Sequence, residues 1–231
     1  MDEPGLRAWR KLERERLVGA RLAVDRDSLQ RWNRAIDSHL ELGFPNLHRG
    51  IVGFCWPYRN EYDARHVLRR LRQRGAMTAL PVVVAPRTPL VFREWHPGVR
   101  LVPGVYGIPF PPESPECLPD TVLLPMNGFD RRGFRLGYGA GYFDRTLAAS
   151  TRRPSVIGVT FELAAIDTIF PQPHDIPVDF VVTERGLYRR DDRGLEFLGA
   201  PDSDSRPLSS PVCYAGENLG GDGGTQARKS R

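Results

Sequence analysis

Thr121-Val-Leu-Leu124, followed shortly by Arg135-Leu-Gly137-Tyr-Gly139-Ala-Gly141-Tyr-Phe-Asp144-Arg145, decides how this chain folds. A short apolar run, a loop with glycine at every second position and a helix-forming segment read as a strand–loop–helix unit. Glycines at 137, 139 and 141 leave the backbone bare, so successive N–H groups can converge on an anion. The helix start adds partial positive charge. Arg135 and Arg145 flank the loop with planar forks suited to phosphate oxygens. Asp144, in the first helical turn, suits a hard cation such as Mg²⁺ held against those phosphates. The pattern is neither a Walker A sequence nor the dinucleotide fingerprint. The plainer reading is a tight strand-to-helix crossover that needs glycine for positive φ.

Outward from that unit, Leu6 to Val24 is helical in composition, and a second helix capped by Asp27 or Ser28 carries Leu29, Trp32, Ile36 and Leu40 at helical spacing. Ile51 to Trp56 reads as a buried strand and Asp63 to Arg74 as a helix ended by Gly75. Strands are expected at Ala79 to Val84, Leu90 to Trp95, Thr121 to Leu124, Val156 to Phe161 and Phe180 to Thr183, the last in the chain. A helix is expected from Gly141 to Ser150. This alternation predicts an α/β fold: a three-layer α/β/α arrangement with a mostly parallel, Rossmann-like sheet. Residues 1–198 are expected to form one domain. Residues 199–231, rich in Ser, Pro and Gly, are expected to be a disordered tail.

The chain has 231 residues and a formal charge of +5, from 33 basic against 28 acidic residues. Its mean hydropathy is -0.40. No apolar run approaches the roughly 20 residues of a membrane span. Only Lys11 and Lys229 are lysines, so the other 31 of the 33 basic residues are arginines. They are spread through the chain with carboxylates between them, which argues for a compositional bias rather than a nucleic-acid surface. Three cysteines (Cys55, Cys117, Cys213) are too few for a disulfide scaffold and spaced unlike a zinc site. A reducing cytoplasm is the expected compartment.

The motifs resemble the 5-formyltetrahydrofolate cyclo-ligases, or methenyltetrahydrofolate synthetases. Phe129-Asp130 with Arg135 to Asp144 carries the likeness, which extends from about Arg10 to Glu184. It includes Trp56-Pro-x-x-x-Glu61-x-Asp63, Leu80-Pro81, Gly104 to Ile108 and His174-Asp175-x-x-x-Asp179. The resemblance implies an ATP- and Mg²⁺-dependent ring closure of 5-formyltetrahydrofolate to 5,10-methenyltetrahydrofolate, with release of ADP and phosphate. Such chemistry asks for positioning and positive charge rather than a nucleophile.

Carried over residue by residue, the resemblance implies nucleotide binding by Arg10, Arg14, Arg135, Leu136, Gly137, Tyr138, Gly139, Ala140, Gly141, Tyr142 and Phe143. Arg21 lies two turns beyond Arg14 on the same face. Trp56, Glu61 and Tyr138 would meet the folate, Asp144 and Asp175 the metal, and Arg135 and Arg145 would be the catalytic guanidinium groups. Small-molecule substrates and a monomer are expected. The chain departs from the family pattern at Phe110 (usually Glu), Ala164 (usually Gln), Met126-Asn127-Gly128 (usually more apolar) and Phe143 (often Tyr). A paralogue with a non-folate substrate and a non-catalytic nucleotide- or folate-binding protein are the competing readings.

Overall fold

The structure, a computed structural model, describes residues 2–202 and Leu208. The N-terminal helix α1 (Glu3–Leu22) is capped by Asp2, whose carboxylate accepts from the Gly5 N–H at 3.0 Å. In α2 (Arg26–Gly43) the cap is Asp25, which accepts from Ser28 N at 2.8 Å. The expected caps, Asp27 and Ser28, lie inside the first turn, because the earlier aspartate already reaches the orphan N–H. There follow β1 (Ile51–Phe54), α3 (Arg65–Gln73), β2 (Met77–Val82), β3 (Val91–Trp95), β4 (Val102–Pro103), β5 (Pro109–Phe110) and β6 (Glu116–Cys117). The second half contains β7 (Thr121–Pro125), β8 (Gly128–Asp130), β9 (Arg135–Leu136), α4 (Tyr142–Ala149), β10 (Ser155–Val159), β11 (Ala165–Ile166), β12 (Phe180–Thr183), β13 (Gly186–Asp191) and β14 (Gly194–Gly199).

Nine strands form one sheet in the order β14-β13-β12-β10-β7-β1-β2-β3-β6. The five central strands from β12 to β2 are parallel, and antiparallel strands flank them at both edges. The fold is therefore α/β with a mostly parallel centre, as the alternation predicts. Central strands are apolar on both faces, which two covering layers require. Phe54, Leu123, Ile157 and Val159 face a cluster shared with Ile36, Leu40, Val67 and Leu68 of α2 and α3. Val122, Leu124 and Val156 face the opposite cluster, with Leu147 of α4. Each such side chain contributes about 1.5–3 kcal/mol on full burial.

The hairpin β13–β14 was not expected from the sequence. Its outer half, Arg189-Arg-Asp-Asp-Arg193, is a charged run that reads as loop, yet Arg189 to Asp191 pair with Glu196, Leu195 and Gly194 at a solvated edge and only Asp192-Arg193 form the turn. Of the expected tail, Gly199 closes β14. Leu208 donates its N–H to Gly43 O at 2.8 Å and packs against the first core cluster. The tail's remaining residues after Asp202 lie outside the described residues.

From β1 the chain crosses by α3 to β2 on one side. From β7 it crosses by α4 to β10 on the other. Strand order therefore reverses between β1 and β7, and the crevice beyond their carboxyl ends is where open α/β sheets bind ligands.

Candidate functional site

Residues Cys55 to Glu61 leave β1 and Met126-Asn127 leave β7 at that crevice. A three-stranded sheet, β11-β8-β9, carries the chain from Gly128 to Leu136 and delivers the glycine loop. The helix α1 packs across it through Leu17, which clusters with Leu136 and Ile169. This placement brings an N-terminal helix to a loop more than a hundred residues away in sequence.

The loop lies at the surface, with Tyr138, Gly139 and Ala140 exposed. Gly139 (φ +95) and Gly141 (φ +64) take left-handed conformations, and α4 begins without a side-chain cap. Among the described residues no hydrogen bond ends on the N–H groups of Tyr138, Gly139, Ala140 or Gly141. Arg14 donates from Nε to Gly137 O at 2.7 Å. A Cβ built on Gly139 would stand 3.1 Å from Arg14 Nη2, so the guanidinium lies directly on the loop. Burial, with Arg10 beside it, lowers the Arg14 pKa from its usual value. Arg145 donates to Ala140 O and lies 5.2 Å from the Tyr142 ring centre. Phe143 packs on the second core cluster.

Arg10 binds Ile169 O (3.1 Å), Phe170 O (2.9 Å) and the Asp175 carboxylate (2.6 Å). Arg135 is buried and binds Ile176 O at 2.6 Å and Asp144 at 2.8 Å. It acts as a brace beneath the loop rather than a flanking fork. Ile176 N also donates to Asp144 Oδ1 at 3.0 Å, which places Asp175 next to Asp144. In each carboxylate one oxygen is engaged: Asp144 Oδ1 by Arg135 and Ile176 N, Asp175 Oδ2 by Arg10 and Gln172 N. Their other oxygens are hard donors suited to Mg²⁺, which takes one or two carboxylates together with phosphates and waters. No group of three or more metal-binding side chains occurs among the described residues. His174 is exposed, 3.9 Å from Asp175.

On the β1 side, Glu61 is 8 % exposed. Its Oε1 accepts from the Tyr138 hydroxyl at 2.8 Å and its Oε2 from Tyr58 N at 3.0 Å. A carboxylate has roughly four acceptor positions, so two remain for a ligand. Burial raises the Glu61 pKa above its usual value, against the opposing effects of Arg21, the Tyr138 hydroxyl and the Tyr58 N–H. Burial and the Glu61 charge push the Tyr138 hydroxyl up as well. Trp56 is partly buried against the first core cluster, with the Arg65 guanidinium 4.5 Å from its ring centre. The Tyr58 and Tyr138 rings stand 5.9 Å apart at the mouth.

The structure thus unites Arg14, Tyr138 and Glu61 in one crevice and sets Asp144, Asp175, Arg10 and Arg135 in an adjoining cluster. Sequence reasoning missed Tyr58 and Asn127 as parts of this arrangement, and Arg21 beyond its place on the helix. Phe110 lies in the β4–β5 hairpin and Ala164 is buried in the second core cluster.

A family model described as the 5-formyltetrahydrofolate cyclo-ligase family matches residues 6–184. The 5-formyltetrahydrofolate cyclo-ligase of Mycolicibacterium smegmatis is 34% identical over 143 residues, covering 57% of this chain and 72% of that protein. The Escherichia coli protein of the same name is 29% identical over 146 residues, covering 60% and 80%. Among solved structures, the 5,10-methenyltetrahydrofolate synthetase of Aquifex aeolicus superposes with a TM-score of 0.68 at 26% identity, covering 82% of this chain and 97% of that one.

Proposed function

The chain belongs to the 5-formyltetrahydrofolate cyclo-ligase family, and from that premise we propose that it converts 5-formyltetrahydrofolate to 5,10-methenyltetrahydrofolate using ATP. The observation that carries this reading is the surface run of N–H groups at 138–141, which donate no hydrogen bond among the described residues, with Arg14 lying on it and Glu61 across the same crevice.

In the reaction the formyl oxygen attacks the γ-phosphorus of ATP and ADP leaves. N10 then attacks the activated formyl carbon, loses its proton to solvent, and phosphate departs with the former formyl oxygen. The loop N–H groups and Arg14 hold the triphosphate, with Arg10 and Arg145 at its edges. Arg135 orients Asp144, and Asp144 with Asp175 would hold Mg²⁺. The metal, when bound, neutralises charge on the transferring phosphoryl group. Glu61 accepts N–H donors of the reduced pterin, and the Tyr138 hydroxyl keeps its carboxylate turned towards the ligand.

Mixing the purified protein with 5-formyltetrahydrofolate, ATP and Mg²⁺ should generate the methenyl chromophore. Absence of turnover with retained ATP binding would favour a non-catalytic nucleotide- or folate-binding protein or a paralogue with another formylated or amide-bearing substrate. Phe110 and Ala164, where the family pattern has Glu and Gln, favour the paralogue.

A further inference from the structure

We infer that Arg21 is a positioning residue that sets the Glu61 carboxylate and the Tyr138 hydroxyl in register; the inference rests on the cyclo-ligase reading of the crevice. Arg21 is 3 % exposed, and its guanidinium touches three segments remote from its own helix. Nε donates to Arg59 O at 2.8 Å, Nη1 to Asn127 Oδ1 at 3.1 Å and Nη2 to the Tyr138 hydroxyl at 3.1 Å. Glu61 Oε1 lies 3.8 Å from Nη2. One side chain of α1 therefore ties together the corner after β1, the segment after β7 and the glycine loop.

Two consequences follow from this geometry. A phenol has one proton; because Arg21 donates to Tyr138, that proton is committed to Glu61 Oε1. Arg21 also bonds a corner in which Arg59 (φ 48) and Asn60 (φ 57) are both left-handed without being glycine. Such backbone persists only where its surroundings over-determine it, and this corner carries Tyr58 N to Glu61 Oε2. A lysine, with its donors at one point, cannot reach Arg59 O, Asn127 Oδ1 and Tyr138 together. Asn127, whose Nδ2 has no hydrogen-bond partner among the described residues, serves as the guanidinium's acceptor.

The test is Arg21→Lys, measured in three ways. kcat/KM for 5-formyltetrahydrofolate should fall about 10- to 100-fold, as expected for a misplaced binding group. Mg-ATP affinity by calorimetry should stay within about twofold, because Arg10 and Arg14 keep their own contacts and Arg21 meets the loop at the Tyr138 hydroxyl rather than at a backbone N–H. Combined with Tyr138→Phe, the total loss should stay within about twofold of the worse single variant. Unchanged kcat/KM, equal losses for both ligands, or full multiplication in the double variant would overturn the inference. Should Arg21→Lys fail to fold, Asn127→Ala removes one anchor alone and should give a smaller loss of the same pattern; no loss there overturns it. Wild-type protein that forms no methenyl product removes the cyclo-ligase reading and this inference with it, whereas active wild type with an indifferent Arg21→Lys removes the inference alone.

Discussion

Asp144 Oδ1 stands 2.8 Å from Nη2 of Arg135, whose side chain is only 6% exposed. The pair sits between the glycine loop and the segment bearing Asp175, so Asp144 has both a structural and a chemical neighbour. Asp144→Asn keeps an acceptor for Ile176 N but leaves the buried guanidinium without its counter-charge. Stability should drop by about 1–3 kcal/mol, and turnover should fall at least about 100-fold at temperatures where the variant is still folded. Melting curves beside initial rates check this; equal loss of both would make Asp144 purely architectural.

Arg14→Ala removes the hydrogen bond to Gly137 O and the cation on the loop. The KM for ATP should rise at least about tenfold, while stability changes by about 1 kcal/mol. An unchanged KM would mean that the nucleotide sits elsewhere.

Gly139→Ala probes the same contact from the loop side. Its φ of +95 is costly for an L side chain, about 1–2 kcal/mol, and the new methyl meets Arg14 Nη2. Mg-ATP binding should weaken by calorimetry while folate binding is retained. Equal weakening of both ligands would contradict the division of the crevice.

The raised pKa of Glu61 gives opposite slopes to two measurements. The folded protein holds this proton more tightly than the unfolded chain does. Stability from this group is therefore full below the usual 4.5 and is lost as pH rises through the folded value. Folate binding needs the carboxylate, so kcat/KM should climb over that same interval, with its acid limb above that of an exposed glutamate. Glu61→Gln should abolish the limb; a limb that survives in the variant belongs to another group.

Much of the fold was legible because its centre obeys simple rules. Ile51 to Phe54, Thr121 to Leu124 and Val156 to Val159 are apolar without alternation, and buried parallel strands require that pattern. The edges were harder to read. Arg189 to Asp191 pair with the last strand although their charges suggest a loop, since one face of an edge hairpin is free to be polar. The glycine loop and its neighbour Asp144 were visible through their spacing, whereas Arg14 was reached only through the family resemblance, since Glu13 and Glu15 beside it suggest a solvated helix face. The inward commitment of Arg135 was not, because its partner Ile176 O lies forty-one residues ahead and is a backbone atom. Arg21 was visible as one more arginine on a helix; its acceptors at 59, 127 and 138 become neighbours only once the sheet brings β1 and β7 together.

The N-terminal helix supplies Arg14 and Arg21 to the crevice and Arg10 to the adjoining cluster, but only Leu6, Leu17 and Val18 to the apolar interior. It resembles a key more than a beam: the sheet and its two main clusters are built from other segments. A purification tag that crowds residues 2–10 is therefore a greater hazard to assays than to yield, and soluble, cooperatively melting, inactive preparations are the expected symptom of a badly placed one.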